Sequence, residues 1–112
     1  MARGEHLGEA EQLILLAAWR VGDKATGATI RQEVAQRGGR TLTVSSIYVT
    51  LMRLQEKGFV TSHLSDPTPV RGGKAKRYFT VTDKGISTLQ ESRRNMERMW
   101  EGMEAAPGVR HA

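Results

Sequence analysis

The sequence predicts a mainly α-helical fold with a small β-hairpin, in which a winged helix-turn-helix core is followed by a long C-terminal dimerisation helix. Three observations support this fold class. Three short helical stretches are separated by tight glycine-containing turns, a β-rich hairpin comes directly after the third stretch, and a heptad-patterned helix follows the hairpin. We expect the core to span residues 9–82 and the last helix to span 83–103.

Composition excludes several classes of protein. The chain has 112 residues, 38% of them hydrophobic and 26% charged, which fits one soluble domain with a modest core. No apolar run reaches the roughly 18 residues that span a membrane, and the first residues lack the apolar core of a signal peptide, so we expect a cytoplasmic protein. The absence of cysteine excludes disulfides and thiol chemistry, and the net charge of +5 favours nucleic acid or another anionic partner.

The first two helices are predicted from apolar spacing and from their end signals. Residues 9–21 are apolar around much of the helix, so we expect them to be buried against the core and against another subunit, whereas residues 1–8 are expected to be frayed. Thr26 is suited to cap a second helix that runs to Arg37, with Ile30 and Val34 pointing inward. Two glycines at 38 and 39 end that helix.

The third helix, predicted over residues 43–57, organises the rest of the chain. Ile47, Leu51 and Leu54 recur at i, i+4 and i+7 and therefore share one face. Thr43 is suited to cap its start, and Gly58 is the residue expected just past its end.

The opposite face of this helix carries short uncharged side chains and one arginine. These are Ser45, Ser46, Val49 and Arg53, whereas a purely solvated face usually mixes glutamate with lysine. Such a face can enter a DNA major groove closely, where the first residues of a recognition helix read base edges. The alternative is an ordinary amphipathic helix of the core.

A β-hairpin is predicted from Phe59–Ser65 and Lys76–Thr82, with a long tip that contains two prolines and two glycines. A hairpin in this position forms the wing of a winged helix. It carries four basic residues that are suited to a phosphate backbone: Arg71, Lys74, Lys76 and Arg77.

The last helix, predicted to be capped by Thr82, shows a heptad seam. The seam consists of Ile86, Leu89, Arg93, Met96, Trp100 and Met103. A helix of about 20 residues is roughly 30 Å long. That is too long to be buried by so small a core, so we expect a second copy of the chain to cover it. The tail, residues 104–112, contains Pro107-Gly108 and is expected to be disordered.

The chain resembles the PadR family of bacterial transcriptional regulators, in its short members. The resemblance rests on SIYVTLMRLQEKGFV (46–60), on RGGKAKRYFTVTDKG (71–85) and on LILLAAW in the first helix. It implies a winged-helix repressor that dimerises through its C-terminal helix and often responds to a small aromatic molecule. The family's recognition-helix tyrosine, which contacts the DNA backbone, corresponds to Tyr48. The chain departs from the common pattern at Val49, at Val44-Ser45 and at Ala28.

These observations define candidate sites. The predicted DNA-binding residues are Ser45, Ser46, Tyr48, Val49, Arg53, Arg71, Lys74, Lys76 and Arg77. The predicted dimerisation residues are Ile86, Leu89, Met96, Trp100 and Met103, and a flat aromatic effector could lie against Met96, Met99 and Trp100. Arg53 can contact either a base edge or a phosphate, and Arg77 can instead pair with acids of its own domain.

The functional prediction is a homodimeric repressor that binds a pseudo-palindromic DNA operator and is released by a small molecule. The alternative is a winged-helix module that binds protein and no DNA, although such a module has no need for four basic residues on its wing. Enzyme function is not expected. The three histidines are scattered without metal-ligand spacing, and Gly72-Gly73-Lys74 lacks the other parts of a phosphate-binding loop. We therefore predict no catalytic residue, metal or cofactor.

Overall fold

The computed structural model describes residues 6–65 and 75–103, and these form four helices and one antiparallel hairpin. The helices are α1 (Glu9–Val21), α2 (Gly27–Gly38), α3 (Val44–Glu56) and α4 (Asp83–Trp100). The hairpin consists of β1 (Val60–Leu64) and β2 (Arg77–Val81). The mainly helical winged-helix fold class is thereby confirmed, and every predicted helix and strand is present.

The start of α1 differs from the prediction of a frayed N-terminus. Leu7 is only 2% exposed and belongs to the core, because its apolar side chain packs with those of α1 and its neighbours. The entry to α1 is held by two hydrogen bonds: the Gly8 N–H donates to Glu11 Oε1 (3.0 Å), and Gln12 Nε2 donates to the Leu7 carbonyl (3.2 Å). A single 3-10 turn, Gly22–Lys24, follows α1.

Helices α2 and α3 begin at the predicted caps. The Thr26 hydroxyl accepts the Thr29 N–H (3.2 Å), and the Thr43 hydroxyl accepts the Ser46 N–H (3.1 Å). Past the end of each helix stands a left-handed glycine, Gly39 (φ 69°) and Gly58 (φ 83°). A side chain is disfavoured at both positions, so the turn after α2 and the turn after α3 each favour glycine.

The hairpin pairs Val60 with Val81 and Ser62 with Phe79, so these residues share the face that turns toward the helices. Val60 and Phe79 are buried in the core. The wing is also tied to the helical part through its backbone, because the Phe79 N–H donates to the carbonyl of Ala25 (2.9 Å). The wing tip, with Arg71 and Lys74, lies outside the described residues.

Helix α4 starts against the end of α3. The Thr82 hydroxyl accepts the Gly85 N–H (3.0 Å) and donates to the Gly58 carbonyl (2.7 Å). A Cβ atom built on Gly85 would lie 2.4 Å from the Phe59 carbonyl oxygen, so only glycine allows this approach. The start of α4 is therefore fixed to the segment that directly follows α3.

The prediction that the last helix extends to Met103 is wrong. Helix α4 ends at Trp100, and a turn closes it in which the Met103 N–H donates to the Trp100 carbonyl (2.8 Å). Gly102 in that turn has φ 84°, a left-handed conformation that cannot continue a helix. The predicted disordered tail, 104–112, lies outside the described residues.

One core unites the helices and the hairpin. Its largest fully buried side chains come from the three helices α1, α2 and α3, from the two strands, and from the residues that precede α1 and β1: Leu7, Ile14, Leu15, Ile30, Ile47, Leu51, Leu54, Phe59, Val60 and Phe79. No helix in the described part of the chain is both long enough and apolar enough to cross a membrane.

Candidate nucleic-acid interface

The face of α3 opposite the core is exposed and carries no charge from Ser45 to Met52, and Glu56 follows on the same face at the end of the helix. Ser45, Val49 and Met52 follow one another at i, i+4 and i+7, and we call them the α3 ridge. Val49 is 53% exposed and Met52 is 38% exposed. Because Ile47, Leu51 and Leu54 hold the other face in the core, the ridge is presented outward by the packing of the domain.

Ser46 lies beside the ridge and forms hydrogen bonds within the first turn of its own helix. Its hydroxyl donates to the Thr43 carbonyl (3.1 Å), and its N–H is the donor that Thr43 caps. This local hydrogen bond to the backbone already uses the donor of the Ser46 hydroxyl. The side chain is exposed, so its predicted contact with DNA stays a prediction.

Tyr48 combines an exposed edge with a packed ring. The ring is half-buried and meets Phe79 edge-to-face, with 5.8 Å between ring centroids and 64° between planes. On its other side it presses on Gly27 at the start of α2, where a Cβ atom would lie 2.6 Å from Tyr48 Cε2. The orientation of Tyr48 is therefore set by α2 and by the wing together.

Arg53 lies near a small charged cluster at the end of α3. Lys57 Nζ is 3.1 Å from Glu11 Oε2, and this ion pair joins α3 to the first turn of α1. Burial alone would raise the pKa of Glu11. The Gly8 N–H, Lys57 and the charge of Arg53 outweigh that effect, and the pKa lies below the ordinary value of 4.5. Arg53 thus acts on an acid of its own chain as well as facing solvent.

The two basic residues of the described part of the wing differ. Lys76 has an exposed side chain, and its backbone N–H donates to Ser65 Oγ (3.0 Å). Arg77 Nη1 donates to Ser62 Oγ (3.0 Å), and Ser62 Oγ donates to Gln55 Oε1 on α3 (2.7 Å). Arg77 is therefore engaged within its own domain through a serine, and among the described residues it makes no ion pair with an acid, the alternative that the sequence offered.

Sequence reasoning missed three residues of this region: Met52, Ser62 and Gln55. Met52 could have been found, because it lies three residues after Val49 and so continues the same helical face. Ser62 and Gln55 meet only through the angle between wing and helix, which no local pattern specifies.

The predicted seam on α4 divides into two parts. Leu89 is 7% exposed and lies in the chain's own core, whereas Met96 is 57% and Trp100 is 56% exposed in the single chain. Arg93 Nε donates to Glu97 Oε2 of the same helix (2.8 Å). Apolar surface is also exposed on α1, at Leu16 and at Trp19 (42%). Among the described residues this apolar surface stays exposed, and dimerisation stays a prediction.

The described residues contain no group of three or more His, Cys, Asp or Glu side chains that could hold a metal ion. His63, one of the three scattered histidines, stacks on Tyr78 across the hairpin, with 5.7 Å between ring centroids. This contact joins the two strands on the outer face of the wing.

In a comparison with protein families, residues 15–91 match the transcriptional regulator PadR-like family. The match covers more than half of the chain and includes α2, α3, the wing and most of α1. A comparison with curated proteins gives no significant match.

Solved structures of PadR-like proteins have the same fold. A PadR family transcription regulator from Clostridium difficile is 23% identical with a TM-score of 0.71, over 87% of this chain and 96% of that one. A PadR-like transcription factor from Bacteroides fragilis is 20% identical with a TM-score of 0.69, over 85% and 86% of the two chains. PadR of Bacillus subtilis in complex with operator DNA is 24% identical with a TM-score of 0.64. It is matched over 76% of this chain and 46% of its own length.

Proposed function

Because the chain belongs to the PadR-like family of transcriptional regulators, we propose that it binds duplex DNA as a homodimer and represses transcription. In this proposal α3 enters the major groove and the wing follows the flanking backbone or minor groove. A two-fold symmetric dimer then reads a pseudo-palindromic operator with half-sites about one or two helical turns apart.

The observation that carries the proposal is the α3 ridge together with its surroundings. The ridge is exposed and short-chained, and from Val44 to Gln55 the only charged residue is Arg53. Lys76 stands exposed on the adjoining wing, and the chain as a whole carries a net charge of +5. A surface of this kind can approach a polyanion without repulsion, because it carries no acid. In such a complex phosphate contacts supply affinity and base contacts supply specificity. The structural neighbour from Bacillus subtilis was solved with operator DNA, which supports the same role here.

Dimerisation is supported by the exposed apolar surface on α1 and α4. Large apolar side chains exposed on a monomer usually mark an interaction surface. Met96, Trp100 and Met103 are more than half exposed in the described part of the chain, and a second α4 would bury them.

Release of the DNA by a small molecule is the most specific part of the proposal. Paired Trp100 rings near a two-fold axis would hold the two helices apart and leave a cleft, in which a flat aromatic molecule could stack between Trp100, Met96 and Met99. Because α4 is fixed to the end of α3 through Thr82 and Gly85, a change in the angle between the two copies of α4 would move the two α3 helices relative to the half-sites.

The test is selection of a bound duplex from a library of random sequence, followed by titration of the selected duplex at several salt concentrations. We expect an inverted repeat, and an affinity that falls with salt by a slope of about −0.9 for each phosphate contacted. The absence of binding to any duplex at low salt would overturn the proposal and would favour the alternative of a protein-interaction module.

A further inference from the structure

From the exposed side chains of α3 we infer that the chain recognises its operator mainly through the C5-methyl groups of thymine, contacted by Val49 and Met52, and not through an arginine on guanine. The inference deepens the proposed function and rests on it. It names the chemical group in the major groove that the α3 ridge reads.

The first step is the position of the two side chains. With Ser45, they lie at i, i+4 and i+7 on the line of α3 that is opposite Ile47, Leu51 and Leu54. Ser45 and Met52 are separated by seven residues, or about 10 Å along the helix axis. That distance matches about three base-pair steps of roughly 3.4 Å. The ridge is therefore long enough to face one short run of bases.

The second step is the chemistry of the ridge. A serine hydroxyl bonds to any base pair, so Ser45 discriminates weakly. Val49 and Met52 carry no polar group, and thymine supplies the one apolar feature of the major-groove edge, its methyl group. Val49 is β-branched and stiff about χ1, so its methyl groups are held in place before DNA arrives.

The third step concerns the occupant of this face. An exposed valine and methionine could also meet a protein, but an apolar protein interface needs a wider patch than two residues. The neighbours here are Ser45, Ser46 and Arg53, without an acid on the first three turns of α3. Charge complementarity thus favours the DNA groove as the surface that covers the ridge.

Arg53 is less suited to read guanine. It lies near the C-terminal end of α3, whereas base contacts in helix-turn-helix proteins come from the N-terminal part of the recognition helix. Its charge also acts on Glu11 of its own chain. Ser45 and Val49, the second and sixth residues of α3, occupy the better position, and Met52, the ninth, continues their line while Arg53 lies on the flank beside it.

The experiment uses the duplex that the wild-type chain selects from a random library. Each thymine of one half-site is replaced in turn by deoxyuridine, which removes only the methyl group. We expect one or two positions at which wild-type affinity falls about fourfold, since a buried methyl or methylene group contributes about that factor. Replacing the sensitive thymine by cytosine and then by 5-methylcytosine separates the methyl group from the base-pairing edge, and the methylated base should restore part of the loss.

Two protein variants then test which side chain contacts the thymine methyl group. Val49→Ala and Met52→Ala keep a good helix former at exposed positions, so the fold should be retained. For the variant that faces the sensitive thymine, the deoxyuridine penalty should disappear. Val44→Ala shortens an exposed valine of α3 that lies off the ridge, so it is the matched control and should keep the full penalty.

Two results would overturn the inference. If no thymine of the half-site is sensitive to methyl removal, or if the penalty is equal in the wild type and in both ridge variants, the methyl groups are not read by these residues, while DNA binding itself stands. If the chain selects no duplex at all, the proposed function fails, and the inference fails with it.

Discussion

The ring of Tyr48 lies so close to Gly27 that a Cβ atom at position 27 would be 2.6 Å from Cε2 of that ring. The contact joins α3 to the first residue of α2. Phe79 of the wing closes the ring from another side, at a centroid distance of 5.8 Å. Three elements of the winged helix thus meet at one tyrosine.

We expect Gly27→Ala to destabilise the fold by about 1–3 kcal/mol, the usual cost of extra volume in a packed site. The ring cannot move aside without losing its contact with Phe79, so the intrinsic preference of a helix for alanine is outweighed. Chemical denaturation measures the free energy of unfolding. In a Tyr48→Ala background the same change should be neutral or stabilising, and an equal loss in both backgrounds would show that the clash is not with Tyr48.

Features of the fold that depend on residues close in the chain could be predicted from the sequence. Helix ends were predictable because Thr26, Thr43 and Thr82 form local hydrogen bonds within three residues. The buried face of α3 was predictable because helical geometry alone places Ile47 and Leu51 together. These features depend on neighbours in the chain.

Features that depend on tertiary packing were not predictable. The heptad pattern marked Leu89 and Trp100 alike, and only the fold shows that Leu89 lies in the chain's own core while Trp100 is exposed. The sequence grouped Arg77 with Lys76 among the basic residues of the wing and offered acids of its own domain as alternative partners, but it did not indicate a serine. The hydrogen bond from Arg77 to Ser62 arises from the pairing of the two strands and from the approach of α3.

The ion pair between Glu11 and Lys57 should make the free energy of unfolding depend on pH in the acidic range. The pKa of Glu11 is lowered in the folded chain, so its contribution is fully present above the ordinary value of 4.5 and is lost as pH falls through the folded-state pKa. We expect Glu11→Gln to reduce the free energy of unfolding at pH 7 by about 1 kcal/mol. The difference from the wild type should shrink below pH 4.5.

Denaturation curves at several pH values measure this effect, with Glu91→Gln on the exposed side of α4 as the control. A difference between Glu11→Gln and the wild type that stayed constant from pH 7 to pH 3 would contradict the electrostatic explanation.

Replacement by alanine should affect DNA binding at Lys76 and folding stability at Arg77. Lys76→Ala should weaken binding to all duplexes alike and should reduce the salt slope by about 0.9, because an exposed lysine on the wing releases one counterion from the backbone. Arg77→Ala should leave the slope unchanged. It should reduce stability by about 1 kcal/mol through the lost hydrogen bond to Ser62.

Titrations of DNA at several salt concentrations distinguish the two residues, and Arg94→Ala on α4 controls for the loss of one positive charge. A reduced slope for Arg77→Ala would make that residue a phosphate contact after all.

Met96→Lys should dissociate the proposed dimer while leaving the subunit folded. Met96 is 57% exposed in the single chain, so the new charge meets water in the monomer but lies in apolar surroundings in a dimer. Sedimentation should show a monomer, and operator affinity should fall by at least tenfold because both half-sites can no longer be bound together. Glu91→Lys places the same side chain on the opposite face of α4 and should remain dimeric. Removal of residues 86–103 is a less selective test, since it also removes Leu89 from the core.

Trp100 should report a planar aromatic effector if one binds between the two α4 helices. The other tryptophan, Trp19, is 42% exposed, so it is first replaced by phenylalanine to leave one fluorescent source. An aromatic ligand stacked on Trp100 gains about 0.5–1.5 kcal/mol per ring contact beyond the burial of area. It should quench the fluorescence and lower operator affinity at the same ligand concentrations, since both effects follow from one binding event. Trp100→Leu keeps the seam apolar and serves as the matched variant, in which the effect on operator affinity should be lost. If a panel of planar aromatic compounds changes neither fluorescence nor DNA binding, Trp100 serves only to hold the two subunits together, and the release of the repressor by such molecules is excluded.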